Sequence, residues 1–305
     1  MVVFDQLNRK IELISANPQR IVSLVPSQTE LLSELKLDDQ VIGITSYCVH
    51  PKDWRRKKVI VGGTKNFNQS KIKSLNPDLI IANKEENQKE KLELLMKDFP
   101  VWISDVRDLD SAIEMINSIG LITSSESISK GIVNDIQSSL LDLKTPKKNR
   151  KKVAYLIWDN PIMSVNSDTF IDNMLSINGW DNCFANYSKR YPEISMEEIN
   201  IANPDYVFLS SEPFPFSDKH IEKFSSAINK SKVILVNGEY FSWYGSRLKY
   251  AMSYFKELKK ILDKFTCIDI RIVVFILLVL VALFYGYLKY AKEDEEDCQC
   301  GNKDN

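Results

Sequence analysis

Aromatic rings interleaved with hydroxyl, amide and carboxylate groups mark three stretches of this chain: Trp158-Asp159-Asn160, Ser211-Glu212-Pro213-Phe214-Pro215-Phe216 and Glu239-Tyr240-Phe241-Ser242-Trp243-Tyr244. Flat apolar faces with a few polar groups between them suit a planar organic ligand or a metal chelate. Earlier in the chain four stretches have the same potential: Pro26-Ser27-Gln28, Ser46-Tyr47-Cys48-Val49-His50, Thr64-Lys65-Asn66-Phe67 and Asn83-Lys84-Glu85-Glu86-Asn87. The candidate ligand contacts are therefore Trp158, Phe241, Trp243 and Tyr244 on one side and Tyr47, Thr64 and Asn66 on the other. Arg247 is a candidate anion partner, with a structural salt bridge as its competing role. Core packing competes for Trp158, Phe241 and Trp243. No bare-metal site is expected. Cys48 and His50 make at most a soft-metal pair, and two ligands do not make a site. His220, at a polar helix start, reads as a surface residue. No nucleophile elbow, phosphate loop or dinucleotide fingerprint occurs, and no carboxylate pair has a spacing that dictates acid–base work.

These stretches follow short apolar runs, and one phrase containing such a run occurs twice, 127 positions apart. The first copy is Ile72, Asn76-Pro77-Asp78, Leu79-Ile80-Ile81-Ala82 and Glu85. The second is Ile199, Asn203-Pro204-Asp205, Tyr206-Val207-Phe208-Leu209 and Glu212. Proline cannot continue a helix and biases the residue before it away from the helical region, so each copy reads as helix end, turn and buried parallel strand. In open parallel sheets ligands gather beyond the carboxyl ends of the strands, which is where the candidate residues fall.

Strand and helix signals alternate through residues 20–122, with Ser27 and Glu30 as a capping box for a helix over Gln28–Leu35. Residues 123–143 carry apolar side chains at Ile128, Ile132, Ile136, Leu140 and Leu143, the spacing of a one-sided helix. Pro146-Lys147-Lys148-Asn149-Arg150-Lys151-Lys152 reads as a solvated linker. The second half adds a helix over Thr169–Asn178, a turn at Gly179–Asn182, a strand over Val233–Val236 and a helix from about Gly245 to Phe265. The expected organisation is an N-terminal α/β lobe (1–122), a backbone helix and linker (123–149), a second α/β lobe (150–265), a membrane helix (270–290) and an acidic tail (291–305).

The net charge of −1 gives no electrostatic reason to invoke nucleic acid. Five scattered cysteines do not form a disulfide framework, and Cys298 with Cys300 falls in the acidic tail. The first residues show no basic region followed by an apolar core, so no secretory signal is expected. Ile272–Leu288 is an uncharged run of seventeen residues, near the lower limit for a bilayer span. Of the positive charges nearest it, Lys259, Lys260, Lys264 and Arg271 precede it and Lys289 and Lys292 follow, so a single-pass C-terminal anchor with cytoplasmic lobes is expected, or periplasmic lobes if a signal precedes the chain.

The chain resembles the periplasmic-binding-protein family with a helical backbone, closest to its vitamin B12 receptor-like branch. The resemblance covers about residues 5–263. It rests on Arg20-Ile21-Val22-Ser23-Leu24-Val25-Pro26-Ser27 with Thr29-Glu30, on Val61-Gly62-Gly63-Thr64, on Leu75-Asn76-Pro77-Asp78-Leu79-Ile80, and on Gly238-Glu239 with Phe241–Arg247. It implies two three-layer α/β lobes bridged by one long helix, here joined to a C-terminal transmembrane helix. It also implies capture of a cobalamin-like, haem-like or iron-chelate ligand between the lobes and delivery to an ABC permease, with no resident cofactor and no catalysis. The alternative is a membrane-tethered chelatase-like or ligand-modifying enzyme acting on a tetrapyrrole in the same cleft. Trp54-Arg55-Arg56-Lys57-Lys58 departs from the family habit of presenting carboxylates to a permease.

Overall fold

A computed structural model describes residues 1–141, 149–228, 231–263 and 279–280. Residues 1–253 form one unit and Tyr254 opens a second, in which residues 254–263 are helical. The first half of unit one comprises β1 (Val2–Phe4), β2 (Lys10–Glu12), β3 (Ile21–Ser23), α1 (Pro26–Glu34), β4 (Val41–Ile44), α2 (Trp54–Lys57), β5 (Val59–Ile60), α3 (Gln69–Leu75), β6 (Leu79–Asn83), α4 (Lys89–Leu95) and β7 (Val101–Ser104). Two helices follow, α5 (Leu109–Ile122) and α6 (Glu126–Leu141). The second half comprises β8 (Lys151–Leu156), β9 (Trp158–Asp159), β10 (Ile162–Met163), α7 (Phe170–Ile177), β11 (Trp180–Asn182), α8 (Met196–Ala202), β12 (Tyr206–Ser210), α9 (Asp218–Ala227), β13 (Lys232–Val236) and α10 (Glu239–Ser242).

The strands make two separate all-parallel sheets, ordered β5-β4-β3-β6-β7 and β11-β8-β12-β13. The repeated strands β6 and β12 lie in the interior of their sheets, and all five residues of each are buried. Their unbroken apolar runs follow from this, since helices and loops cover both faces. Each sheet has its own apolar cluster, one built around Val22, Ile80 and Ile103, the other around Leu156, Val207 and Phe224.

The repeated phrase has the same local geometry twice. Asn76 and Asn203 end α3 and α8 in the left-handed region, at φ 45° and 46°, which asparagine tolerates better than most residues. Pro77 and Pro204 are buried, as are Ile72 and Ile199 one turn earlier. The aspartates then clamp the neighbouring strand. The Asp78 carboxylate accepts from the backbone N–H groups of Gln19 (2.7 Å) and Arg20 (2.9 Å), just ahead of β3. The Asp205 carboxylate accepts from the N–H of Lys152 and from Lys151 Nζ, both at 2.8 Å, at the start of β8. In each half the phrase therefore ends a helix, starts a central strand and fixes the strand beside it.

Helix α1 starts earlier than the capping-box spacing predicts. Val25 is its N-cap and Pro26 occupies the first turn, where a missing N–H costs nothing, so Ser27 lies inside the helix and Glu30 is free to bond elsewhere. The helix expected over 123–143 is α6, paired with α5 through a tight turn in which Ser125 N–H bonds to the Gly120 carbonyl at 2.7 Å. The segment read as a turn at Gly179–Asn182 contains the edge strand β11. The last helix begins at residue 248 rather than 245, because Gly245 takes φ +145°. Among the described residues no helix is long and apolar enough to cross a membrane. The expected span over 272–288 lies outside them apart from Val279 and Leu280, as do Cys298 and Cys300.

Asp78→Ala and Asp205→Ala each delete two charge-assisted hydrogen bonds to a strand start. Each should lower the unfolding free energy by about 1–3 kcal/mol in urea melts. Parental stability in both variants would remove the clamp role.

Candidate functional site

The loops after the strands bring the carboxyl edges of the two sheets against each other. After β4 comes His50, whose Nε2 lies 3.3 Å from Glu239 Oε1, just beyond β13. The His50 ring also meets Trp243 edge-on at 5.5 Å. After β6 come Glu85 and Glu86. The Tyr191 hydroxyl donates to Glu85 at 3.2 Å and the Tyr244 hydroxyl to Glu86 at 3.1 Å. Arg190 pairs with Glu85 at 2.5 Å. Gly245 completes the approach, because a Cβ there would press to 3.1 Å from the Ser27 carbonyl oxygen and its φ of +145° disfavours any other residue.

Arg247 is the most heavily engaged group at this junction. Its guanidinium makes a bidentate pair with Glu30 (2.9 and 2.6 Å), reaches Glu239 at 2.9 Å, and lies 4.9 Å from the Trp243 ring centroid. Glu212, after β12, accepts from the Ser242 hydroxyl and from Trp243 Nε1 at 3.1 Å. A Cβ at Gly238 would collide with Ser210 Oγ and Glu212 Cγ, so glycine is what lets this loop close over the carboxylate. Desolvation raises the carboxyl groups of Glu30, Glu85 and Glu212, and it is the main cause at Glu86, which is pushed up to about 7. The Glu212 and Glu85 charges add to the rise at Glu86, while the Tyr244 hydrogen bond and Lys65 oppose it. Next to this network lies an open cavity of about 580 Å³ lined by His50, Ser211, Glu212, Phe216, Leu235 and Glu239, among others.

The candidate residues separate into two groups. Tyr47 and Trp158 stand exposed, at 63 % and 39 %, after β4 and β8. Thr64 and Asn66 lie in the loop after β5, where the Thr64 carbonyl accepts from Asn87 and Asn66 Oδ1 from Lys91. Phe241 is a correction. It is wholly buried, with Tyr155 at 5.0 Å, Phe208 at 6.1 Å and Trp180 at 6.3 Å, because the short helix α10 turns it onto the face of the second sheet that carries these rings. Trp243, Tyr244 and Arg247 are buried too, and their polar atoms bond to Glu212, Glu86, Glu30 and Glu239; they build the site from behind. Cys48 does not join His50, since it is buried with its sulfur 3.1 Å from Thr29 Oγ1 and 3.2 Å from Thr45 Oγ1. His220 is not a surface residue. Its Nδ1 accepts the Ser217 N–H at the start of α9, and its ring packs edge-on against both Phe214 and Phe216. Among the described residues no group of three or more His, Cys, Asp or Glu is arranged to hold a metal ion.

Glu86, Glu212 and Glu239 were legible as positions after strands but not as bonded groups. Arg190 and Tyr191 lie in a loop between β11 and α8 with no motif around them, and only tertiary contact reveals them.

The chain matches the sequence profile of the family described as periplasmic binding protein over residues 21–232. It is 30 % identical over 217 residues to the ABC transporter substrate-binding lipoprotein YvrC of Bacillus subtilis, a match covering 68 % of each chain. It is 26 % identical over 195 residues to the vitamin B12-binding protein of Vibrio cholerae, covering 63 % of this chain and 70 % of that one. The solved petrobactin-binding protein YclQ of Bacillus subtilis superposes with a TM-score of 0.70 at 24 % identity, over 84 % of this chain and 97 % of the other. These matches overturn the expected location. The family is one of periplasmic binding proteins and one relative is a lipoprotein, which does not fit cytoplasmic lobes on a single-pass C-terminal anchor.

Two outcomes test this geometry. Arg247→Ala leaves Glu30 and Glu239 without their cation and should destabilise the fold by about 3–5 kcal/mol in denaturant melts. Glu86 binds its proton more tightly folded than unfolded, so it lowers stability as pH rises from about 4.5 towards about 7. Glu86→Gln should therefore stabilise the chain by roughly 1–3 kcal/mol above pH 7 and show no gain below pH 4.5. Parallel stability–pH curves for parent and variant would contradict the burial assigned to Glu86.

Proposed function

The chain belongs to the periplasmic binding protein family, and we propose that, as a substrate-binding protein of ABC-transporter type, it captures a compact metal chelate between the two carboxyl edges. The ligand class is corrinoid, haem-like or iron-siderophore. The halves around the two sheets act as lobes, and the loaded protein presents its cargo to an ABC permease. The observation that carries the reading is the pair of opposed parallel-sheet edges, with exposed rings at Tyr47 and Trp158 on their loops and a cavity lined by His50, Glu212 and Glu239 large enough for part of such a ligand. In this reading Tyr47 and Trp158 stack on the chelate, Thr64 and Asn66 offer polar contacts, and Trp243, Tyr244 and Arg247 hold the wall behind them. The names of relatives support the ligand class: one binds vitamin B12 and another petrobactin. Binding proteins rather than enzymes make up these matches, which sets the chelatase-like alternative aside.

Mass spectrometry and absorbance of the purified full chain should reveal a co-purifying chelate, or one acquired from a panel of cobalamin, haemin and ferric siderophores. Trp158→Ala and Tyr47→Ala should each weaken its binding by about 1–2 kcal/mol, the scale of losing one stacked ring. Unchanged affinity in both variants would refute the exposed-ring contact.

A further inference from the structure

The carboxyl edges carry an unbalanced set of charges. Glu30, Glu85, Glu86, Glu212 and Glu239 gather there, against the guanidiniums of Arg190 and Arg247. Both guanidiniums are spent. Arg190 is shared between Glu85 and Asp168, and Arg247 between Glu30 and Glu239. Glu86 and Glu212 are bonded by neutral donors: the Tyr244 hydroxyl for the first, the Ser242 hydroxyl and Trp243 indole for the second. The lysines nearby do not reverse the sign. Lys223 pairs with Asp159 beside Trp158, Lys84 pairs with Asp105, and the exposed Lys65 acts on Glu86.

We infer that this site selects its chelate by charge, taking a neutral or cationic ligand rich in hydrogen-bond donors and rejecting polyanionic ones. The inference rests on the chelate-binding reading above and narrows it. A propionate or catecholate entering the cavity lined by Glu212 and Glu239 would meet like charge in a partly desolvated place and find both arginines occupied. Amide or amine donors would instead meet the carboxylates of Glu86 and Glu212, whose present partners are neutral donors. Glu86 sharpens the discrimination, since it gains its charge near neutral pH and faces Tyr244, Glu85, Glu212 and Lys65.

Calorimetric titration of the full chain at pH 7.5 with four probes tests this. They are cyanocobalamin and a ferric trihydroxamate, both neutral overall, haemin with its two propionates, and a ferric tris-catecholate trianion. One neutral chelate should bind at least about 100-fold more tightly than either anionic one. An anionic chelate that binds as tightly as the neutral ones, or more so, overturns the inference and leaves the chelate-binding reading standing. Binding of none of the four overturns both. The double variant Glu86→Gln with Glu212→Gln preserves shape and removes the charge. It should narrow the gap at least about tenfold by improving the anionic probes. An unchanged gap in a variant that melts like the parent overturns the assignment to these carboxylates.

Discussion

A guanidinium withdrawn from water must have its charge met where it is buried, and in this chain that requirement joins the two halves of the molecule. Arg247 follows α10 in the second half, yet one of its partners, Glu30, belongs to α1 in the first. The other, Glu239, also touches His50 of the first half. Such a cluster adds little net stability compared with an apolar one of the same volume, but it is specific about geometry. Moving either half would leave a charge unpaired. The position of Trp243, packed under the guanidinium and bonded to Glu212, depends on the same arrangement.

The junction is polar because of how it is made. Parallel strands end with their carboxyl edges facing outward, and the loops that leave them are free of the sheet's demand for apolar side chains. Two such edges meeting bring together whatever those loops carry. Here they carry carboxylates after β6, β12 and β13 and phenols and guanidiniums from other loops, and the pairs among them set which groups remain available. The polar groups of the junction thus serve mostly one another. Tyr47 and Trp158 are rings left facing solvent there.

Aromatic side chains in one short stretch have divergent fates for a simple reason. Residues 239–242 form a single helical turn, so neighbours point in different directions. Phe241 enters the core among Tyr155, Phe208 and Trp180, and Trp243 and Tyr244, past the end of the turn, run back along the junction. Adjacent positions cannot share a role when the backbone between them is helical.

The repeated phrase shows where sequence is sufficient. A helix stopped by proline, a left-handed asparagine and a buried strand are local consequences of residue type, and the same three occur at Asn76–Asp78 and Asn203–Asp205. The parallel α/β class, the two sheets and a one-sided helix near 123–143 follow from such local signals and apolar spacing, whereas its pairing with α5 does not. Short elements escaped them. Strand β11 has three residues, too few for a period to register, and α1 began at Pro26 because proline fits a first turn as readily as it ends a helix. The site was legible only as a set of strand-following positions. Which of them face solvent, which are buried and which carboxylates have partners depends on contacts between residues up to 217 positions apart, such as Glu30 with Arg247. No local rule relates residues so distant, and only the packing of one sheet edge against the other decides it.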